Sequence, residues 1–179
     1  MPRFGMIIDA RGCIDCRACM VACKAENAVP AGHSRNVVLT RTAGTYPAVS
    51  VRMAPAQCMH CDNAPCVRVC PTGASYVDAR GIVLVNPDDC IGCRYCMQAC
   101  PSDARYFDEE SGTVDKCTFC RHLVDQGLEP ACVTTCPTRA RVFGDVADGA
   151  SAISEVLART RVEVRKEEAG TEPRVYYRS

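Results

Sequence analysis

Sixteen of the 179 residues are cysteine, and they fall in four sets of four. Their spacing constrains what this chain can fold into more than any other feature. Cys13, Cys16, Cys19 and Cys23 are separated by two, two and three residues. Cys58, Cys61, Cys66 and Cys70 are separated by two, four and three, and Pro71 follows. Cys90, Cys93, Cys96 and Cys100 repeat the first spacing, followed by Pro101. Cys117, Cys120, Cys132 and Cys136 are separated by two, eleven and three, followed by Pro137. Lys24 stands where the other three sets have proline.

The run C-x2-C-x2-C-x3-C-P is the bacterial ferredoxin pattern that binds [4Fe–4S] clusters, and its fourth cysteine ligates the other cluster of a pair. Residues 75–77 and 82–85 read as short strands joined by a turn at 78–81. They lie between the second and third runs, so residues 55–101 read as one complete ferredoxin-like unit. The first and fourth runs are left without sequence neighbours. An apolar strand at 4–8 precedes the first run, and a strand at 141–143 follows the fourth. Those are the strands that pair in a lone two-cluster ferredoxin. The expected fold is therefore α+β, with two bacterial-ferredoxin-like units, one inserted in the other. The outer unit takes residues 1–54 and 102–145, the inserted unit 55–101, and a C-terminal tail 146–179. The crossover rule then assigns four ligand sets. Cys13, Cys16, Cys19 and Cys136 form one, and Cys117, Cys120, Cys132 and Cys23 the second. Cys58, Cys61, Cys66 and Cys100 form the third, and Cys90, Cys93, Cys96 and Cys70 the fourth.

Two other uses of cysteine compete. Structural zinc favours cysteine pairs split by a longer loop, and only the fourth set, with its eleven-residue insert, comes near that. Disulfides need an oxidising compartment, and one recurring pattern with no secretory signal argues against them. Aromatic residues are 6% of the chain and tryptophan is absent, so the apolar core is thin and metal ligation must supply much of the folding free energy. His33, His60 and His122 read as groups outside the ligand sets or at the surface, because each set already has four cysteines. Tyr46, Tyr76, Tyr95 and Phe119 read as packing. Arg17, Lys24, Arg68, Arg94, Lys116 and Arg121 lie near cysteines in sequence, and some of them are expected to offset cluster charge, about −2 per oxidised cubane with its thiolates.

Elsewhere, residues 20–26 read as helical turns ended by Pro30 and Gly32, and residues 37–42 and 49–53 as a two-stranded ribbon. Residues 105–107 form a further short strand. Leu123 and Val124 mark an amphipathic turn inside the fourth set. Ser151 caps a helix over 152–160, with Ile153, Val156 and Leu157 on one face. Residues 162–164 and 174–177 suggest a terminal hairpin around Gly170, packed on the protein or on a partner. Formal net charge is zero, which gives no basic footprint for nucleic acid and no charged patch for a membrane surface. No apolar run approaches the ~18 residues of a spanning helix. The start of the chain leaves no room for a signal peptide, so the expectation is a cytoplasmic protein or one exported with a partner that carries the signal. No phosphate-binding glycine loop and no nucleophile–base pair is evident, so the chain is not expected to be an enzyme alone.

The four sets, in this order and with these spacings, resemble the four-cluster iron–sulfur subunits of the molybdopterin (dimethyl sulfoxide reductase) oxidoreductase family. The resemblance covers residues 4 to about 145 and includes 70–74 (CPTGA), 116–120 (KCTFC), 130–133 (PACV) and 143–145 (FGD). Within the family the chain is most similar to the polysulfide and thiosulfate reductase electron-transfer subunits, to which its ending at 170–177 (GTEPRVYY) is also similar. The resemblance implies two partners: a molybdopterin-containing catalytic subunit and a multi-spanning quinone-binding membrane subunit. It implies a peripheral place on the membrane, on the extracytoplasmic face by way of the partner's signal. Two other readings stay open. One is a cytoplasmic ferredoxin-like subunit of a formate dehydrogenase or hydrogenase complex. The other is a redox-sensing or structural iron–sulfur protein.

Overall fold

The computed structural model describes residues 1–178. The apolar run near the N-terminus forms β1 (Phe4–Asp9). Met6, Ile7 and Ile8 are buried, as expected of a strand flanked on both edges and covered on both faces. The first cysteine run leads into α1 (Ala18–Glu26). This helix is the longest of those that follow a run, because Lys24 lets it continue where proline stops the others. It ends at Asn27, earlier than Pro30.

The ribbon consists of β2 (Asn36–Thr45) and β3 (Ala48–Gln57), paired antiparallel from Asn36 opposite Gln57 to Thr45 opposite Ala48. It is longer than the apolar pattern implied. Its outer part is exposed on both faces, so hydrophobic alternation could not mark its extent. Tyr46 stands at its tip with 92% of its surface exposed, and so does not pack as expected of it.

The second and third runs carry α2 (Pro65–Arg68) and α3 (Tyr95–Gln98), and between them β4 (Ser75–Val77) pairs with β5 (Val83–Val85). After the third run, β6 (Arg105–Asp108) pairs with β7 (Thr113–Lys116). Only Val114 and Lys116 of β7 are buried, and the polar residues beside them left this strand without a sequence signal. The fourth run carries α4 (Arg121–Val124) and α5 (Ala131–Thr134). Helix α1 packs on α5, and α2 packs on α3. The third cysteine of every run (Cys19, Cys66, Cys96 and Cys132) thus lies in the first turns of a helix.

Strand β8 (Arg141–Asp145) lies antiparallel to β1, with Met6 opposite Phe143 and Ile8 opposite Arg141. Helix α6 (Ala152–Arg159) starts at Ser151, whose Oγ accepts from the Ser154 amide at 3.3 Å, and its Ile153 closes over Gly144. Strand β9 (Val175–Arg178) corrects the expected terminal hairpin. It adds to the free edge of β1 in parallel, giving the order β8-β1-β9. Its pairing with the preceding segment is a single antiparallel bridge between Glu163 and Tyr177, beside which Arg165 lies over the Tyr177 ring at 3.7 Å. The reason is burial: Val175 and Tyr177 both face the core beside Met6 and Ile8, a larger apolar surface than residues 162–164 could offer.

Arg174 fastens this tail to the rest. It is buried and donates to the carbonyls of Phe4, His60 and Arg80, and it pairs with Asp62 at 3.1 Å. Gly81 leaves room for it. Gly81 sits at φ +73°, and a Cβ there would collide with the Arg174 guanidinium. Gly81→Ala combines a left-handed backbone with displacement of a pinned side chain, and is expected to cost about 2 kcal/mol. A lower denaturant midpoint at unchanged slope, with cluster absorbance intact in the native state, is the outcome to look for.

Candidate metal centres

Short helices and tight turns bring cysteines of distant runs together. Cys13, Cys16, Cys19 and Cys136 line one cavity. Cys58, Cys61, Cys66 and Cys100 line a second. Cys70, Cys90, Cys93 and Cys96 line a third. The remaining four, Cys23, Cys117, Cys120 and Cys132, are all buried. Asn27 Nδ2 reaches the sulfurs of both Cys120, at 3.5 Å, and Cys23, at 3.8 Å.

Backbone amides point at several sulfurs. Ser75 N donates to Cys70 at 3.4 Å, Ala104 N to Cys100 at 3.5 Å and Ala140 N to Cys136 at 3.3 Å. Each comes from the turn after a Cys-Pro pair, where proline stops the helix and frees the next amides. Lys24 allows no such turn, and the Asn27 side chain, one helical turn on, supplies the donor for Cys23 instead.

These contacts sort the thiols. Burial pushes Cys23, Cys117 and Cys132 up to about 12, and Cys61 up to about 11. Such thiols stay neutral until a metal displaces the proton. For Cys70 and Cys136 burial pulls the same way, but the amides and the hydroxyls of Thr72 and Thr138 outweigh it, and both lie below the ordinary thiol value.

Two side chains that sequence proximity did not single out reach into these sites. Arg105 Nη2 lies 3.0 Å from Cys66 Sγ, and Arg105 lines both cavities of residues 55–101. Arg141 lies 3.7 Å from Cys19 Sγ and 3.9 Å from Cys132 Sγ. Both arginines are buried. A shared pattern marks them: each is the fifth residue after the last cysteine of its run, in Cys-Pro-x-x-Ala-Arg at 100–105 and 136–141. Of the cations expected near the cysteines, only Lys116 is buried, and its Nζ donates to the carbonyls of Val83 and Cys117. Arg17 pairs with Asp15, Arg121 with Asp125, Arg94 lies over the Phe107 ring, Arg68 donates to Asn63, and Lys24 donates to Pro30 and His33 carbonyls.

The histidines line none of the three cavities. His33 meets Glu109 and His122 meets Glu26 at the surface. His60 is fully buried, stacked on Phe119 at 3.6 Å, and its Nδ1 accepts from the Val83 amide. That bond leaves the proton of the neutral ring on Nε2. Phe119 packs as expected, whereas Tyr95 is 62% exposed.

The donor chemistry fits iron–sulfur cubanes. Among the described residues no three His, Cys, Asp or Glu side chains gather tightly enough to hold a single metal ion. A cubane, whose four irons each take one thiolate, needs that wider ring. Among the described residues neither Arg105 nor Arg141 has a carboxylate partner, and Arg105 Nη1 is buried with no hydrogen-bond acceptor. A buried, uncompensated guanidinium is costly, and an anionic cluster beside it supplies the missing charge.

A family model described as a 4Fe-4S dicluster domain matches residues 49–146, and a second with the same description matches residues 12–74. The protein is 45% identical to a subunit of tetrathionate reductase from Salmonella typhimurium, over 98% of this sequence and 72% of that one. It is 45% identical to a component of polysulfide reductase from Wolinella succinogenes, over 97% and 93%. It is 39% identical to the arsenate respiratory reductase iron-sulfur subunit of a Shewanella strain, over 98% and 95%. With two dicluster matches and sixteen cysteines, the protein belongs to the 4Fe-4S dicluster family of reductase iron–sulfur subunits, carries four [4Fe–4S] clusters for electron transfer, and is not an enzyme by itself.

Proposed function

We propose that the protein is the electron wire of a respiratory reductase of the polysulfide or thiosulfate type. It runs between a multi-spanning quinone-binding membrane subunit and a molybdopterin catalytic subunit. The observation that carries this reading is the gradient of exposure along the cysteine sets. Cys16 and Cys93 are exposed, each in a different set, while every cysteine of the set Cys23, Cys117, Cys120 and Cys132 is buried.

The ligand sets are Cys13, Cys16, Cys19 and Cys136; Cys23, Cys117, Cys120 and Cys132; Cys58, Cys61, Cys66 and Cys100; and Cys70, Cys90, Cys93 and Cys96. They follow one another in that order. Arg141 lies between the first two, and Arg105 between the last two. The middle pair meets where Cys58 and Cys117 share the apolar core. The pairing of β1 with β8, and the packing of α1 on α5 and α2 on α3, support an outer unit of 1–54 and 102–145 around an inner one of 55–101. A cubane supplies a site that takes up and releases one electron at a time. The protein's own residues hold these sites, donate amides to their sulfurs, and keep water from the set Cys23, Cys117, Cys120 and Cys132.

At the two ends, Ile14 beside Cys13, and Ile91 and Tyr95 beside Cys93, are exposed. They give each terminal site an apolar rim against which a partner excludes water. Among the described residues no helix is long and apolar enough to cross a membrane, so attachment falls to the quinone subunit. On this reading the protein sits peripherally on the extracytoplasmic face, exported with a partner that carries the signal.

Anaerobic purification of a tagged protein from gently solubilised membranes tests the reading. A molybdopterin subunit and a multi-spanning protein should co-purify, with sulfur-compound reductase activity. Soluble partners alone would replace it with a cytoplasmic formate dehydrogenase or hydrogenase complex. The ligand sets have their own test. Cys23→Ser and Cys120→Ser should each remove or convert the same cluster, and Cys136→Ser the one affected by Cys16→Ser, as followed by iron content and electron paramagnetic resonance. Loss of the Cys16 cluster on replacing Cys23 would show that each run closes on itself.

A further inference from the structure

Arg105 and Arg141 occupy matching places in the two halves of the molecule. Each opens the strand that follows a Cys-Pro turn, Arg105 in β6 and Arg141 in β8. Each lies beside the third cysteine of a run, Cys66 for Arg105, and both Cys19 and Cys132 for Arg141. Each has one neutral oxygen as protein partner: the Ser75 hydroxyl for Arg105, at 2.8 Å, and the Gln57 side-chain carbonyl for Arg141, at 2.5 Å. Neither has a carboxylate within ion-pair distance among the described residues, and both are about 95% buried, with 5% and 4% of their surface exposed. Other arginines in the chain have carboxylate partners: Arg35 takes Asp115 and Arg174 takes Asp62. The positive charge at 105 and 141 is thus left for whatever the cysteine cavities hold.

From this we infer that Arg105 and Arg141 are redox-positioning residues, each a fixed positive charge shared by the two clusters of its unit and setting how readily both accept an electron. The inference rests on the ligand sets proposed above. Adding an electron makes a cluster more negative by one charge. A guanidinium buried at sulfur-contact distance stabilises that added charge more than it would in water, because little solvent screens it. Arginine suits the place, since it does not lose its proton in a protein. It also reaches two sulfurs in one half and a sulfur and a hydroxyl in the other. Lys116 also lies in the interior, where its ammonium donates to the carbonyls of Val83 and Cys117, and direct contact with a ligand sulfur is what distinguishes the two arginines from it among the described residues.

The test uses the full-length protein in its anaerobically purified complex, with Arg105→Gln, Arg105→Lys, Arg141→Gln and Arg141→Lys. Iron and sulfide content are measured first, then midpoint potentials by titration followed by electron paramagnetic resonance. The glutamine variants should keep their iron and lower the equilibrium constant for reduction about tenfold at two of the four clusters. For a one-electron step that is about 59 mV to lower potential. The pair displaced by Arg105→Gln should differ from the pair displaced by Arg141→Gln, and the lysine variants should recover most of the shift. Full iron with unmoved potentials in the glutamine variants overturns the inference and leaves the ligand sets standing. Loss of iron in both glutamine and lysine variants also overturns it, since the arginines would then be structural. Fewer than four clusters in the unsubstituted protein would remove the ligand sets and the inference together.

Discussion

Closure of a cysteine triplet by a fourth cysteine from another run is the contact on which the rest of this structure depends. Cys13, Cys16 and Cys19 meet Cys136 across about two thirds of the sequence, and Cys58, Cys61 and Cys66 meet Cys100. A loop that long is expensive to close, and a thin aliphatic core cannot hold it alone. Metal–thiolate bonds in the proposed ligand sets would hold it, and little secondary structure is then needed. Helices of four residues and strands of three would be marginal on their own. Here they serve as spacers that aim sulfur atoms.

The four cysteine runs share one plan but meet different local demands. Proline after three of the runs ends a helix and turns the next amides toward sulfur. Lysine at position 24 lets α1 continue, and the Asn27 side chain takes over the donor role. The two ends of the chain meet in the sheet β8-β1-β9, whose central strand contributes Met6 and Ile8 to the largest apolar cluster. The C-terminal strand completes that sheet, and Arg174 ties it to the carbonyls of Phe4 and His60.

Charge follows the same economy. Most cations near cysteines in sequence face solvent or pair with a carboxylate, where screening makes them worth little to a buried cluster. The buried ones lie where one cysteine set gives way to the next. Burial of the interior sulfurs, and amides donated to the outer ones, form a second layer of control. Bonds to sulfur and exclusion of water are the levers by which a protein sets cluster potentials.

Cofactor type, cluster number and family were legible in the cysteine spacing, because ligand geometry demands a short-range pattern that a linear sequence displays. The strands at β1, β4 and β8, and the helix capped by Ser151, were equally plain from apolar runs and a capping residue. What spacing could not display depended on partners far away in the chain. Strand β7 forms because Val114 and Lys116 have an interior to enter, although half of its residues are polar. Strand β9 leaves its sequence neighbour for β1 because Val175 and Tyr177 bury more apolar surface there. Arg105 and Arg141 looked like ordinary polar residues at the start of short strands. Only the folding of one run against another places them between cysteine sets, since burial and the absence of a carboxylate partner are properties of three-dimensional neighbours.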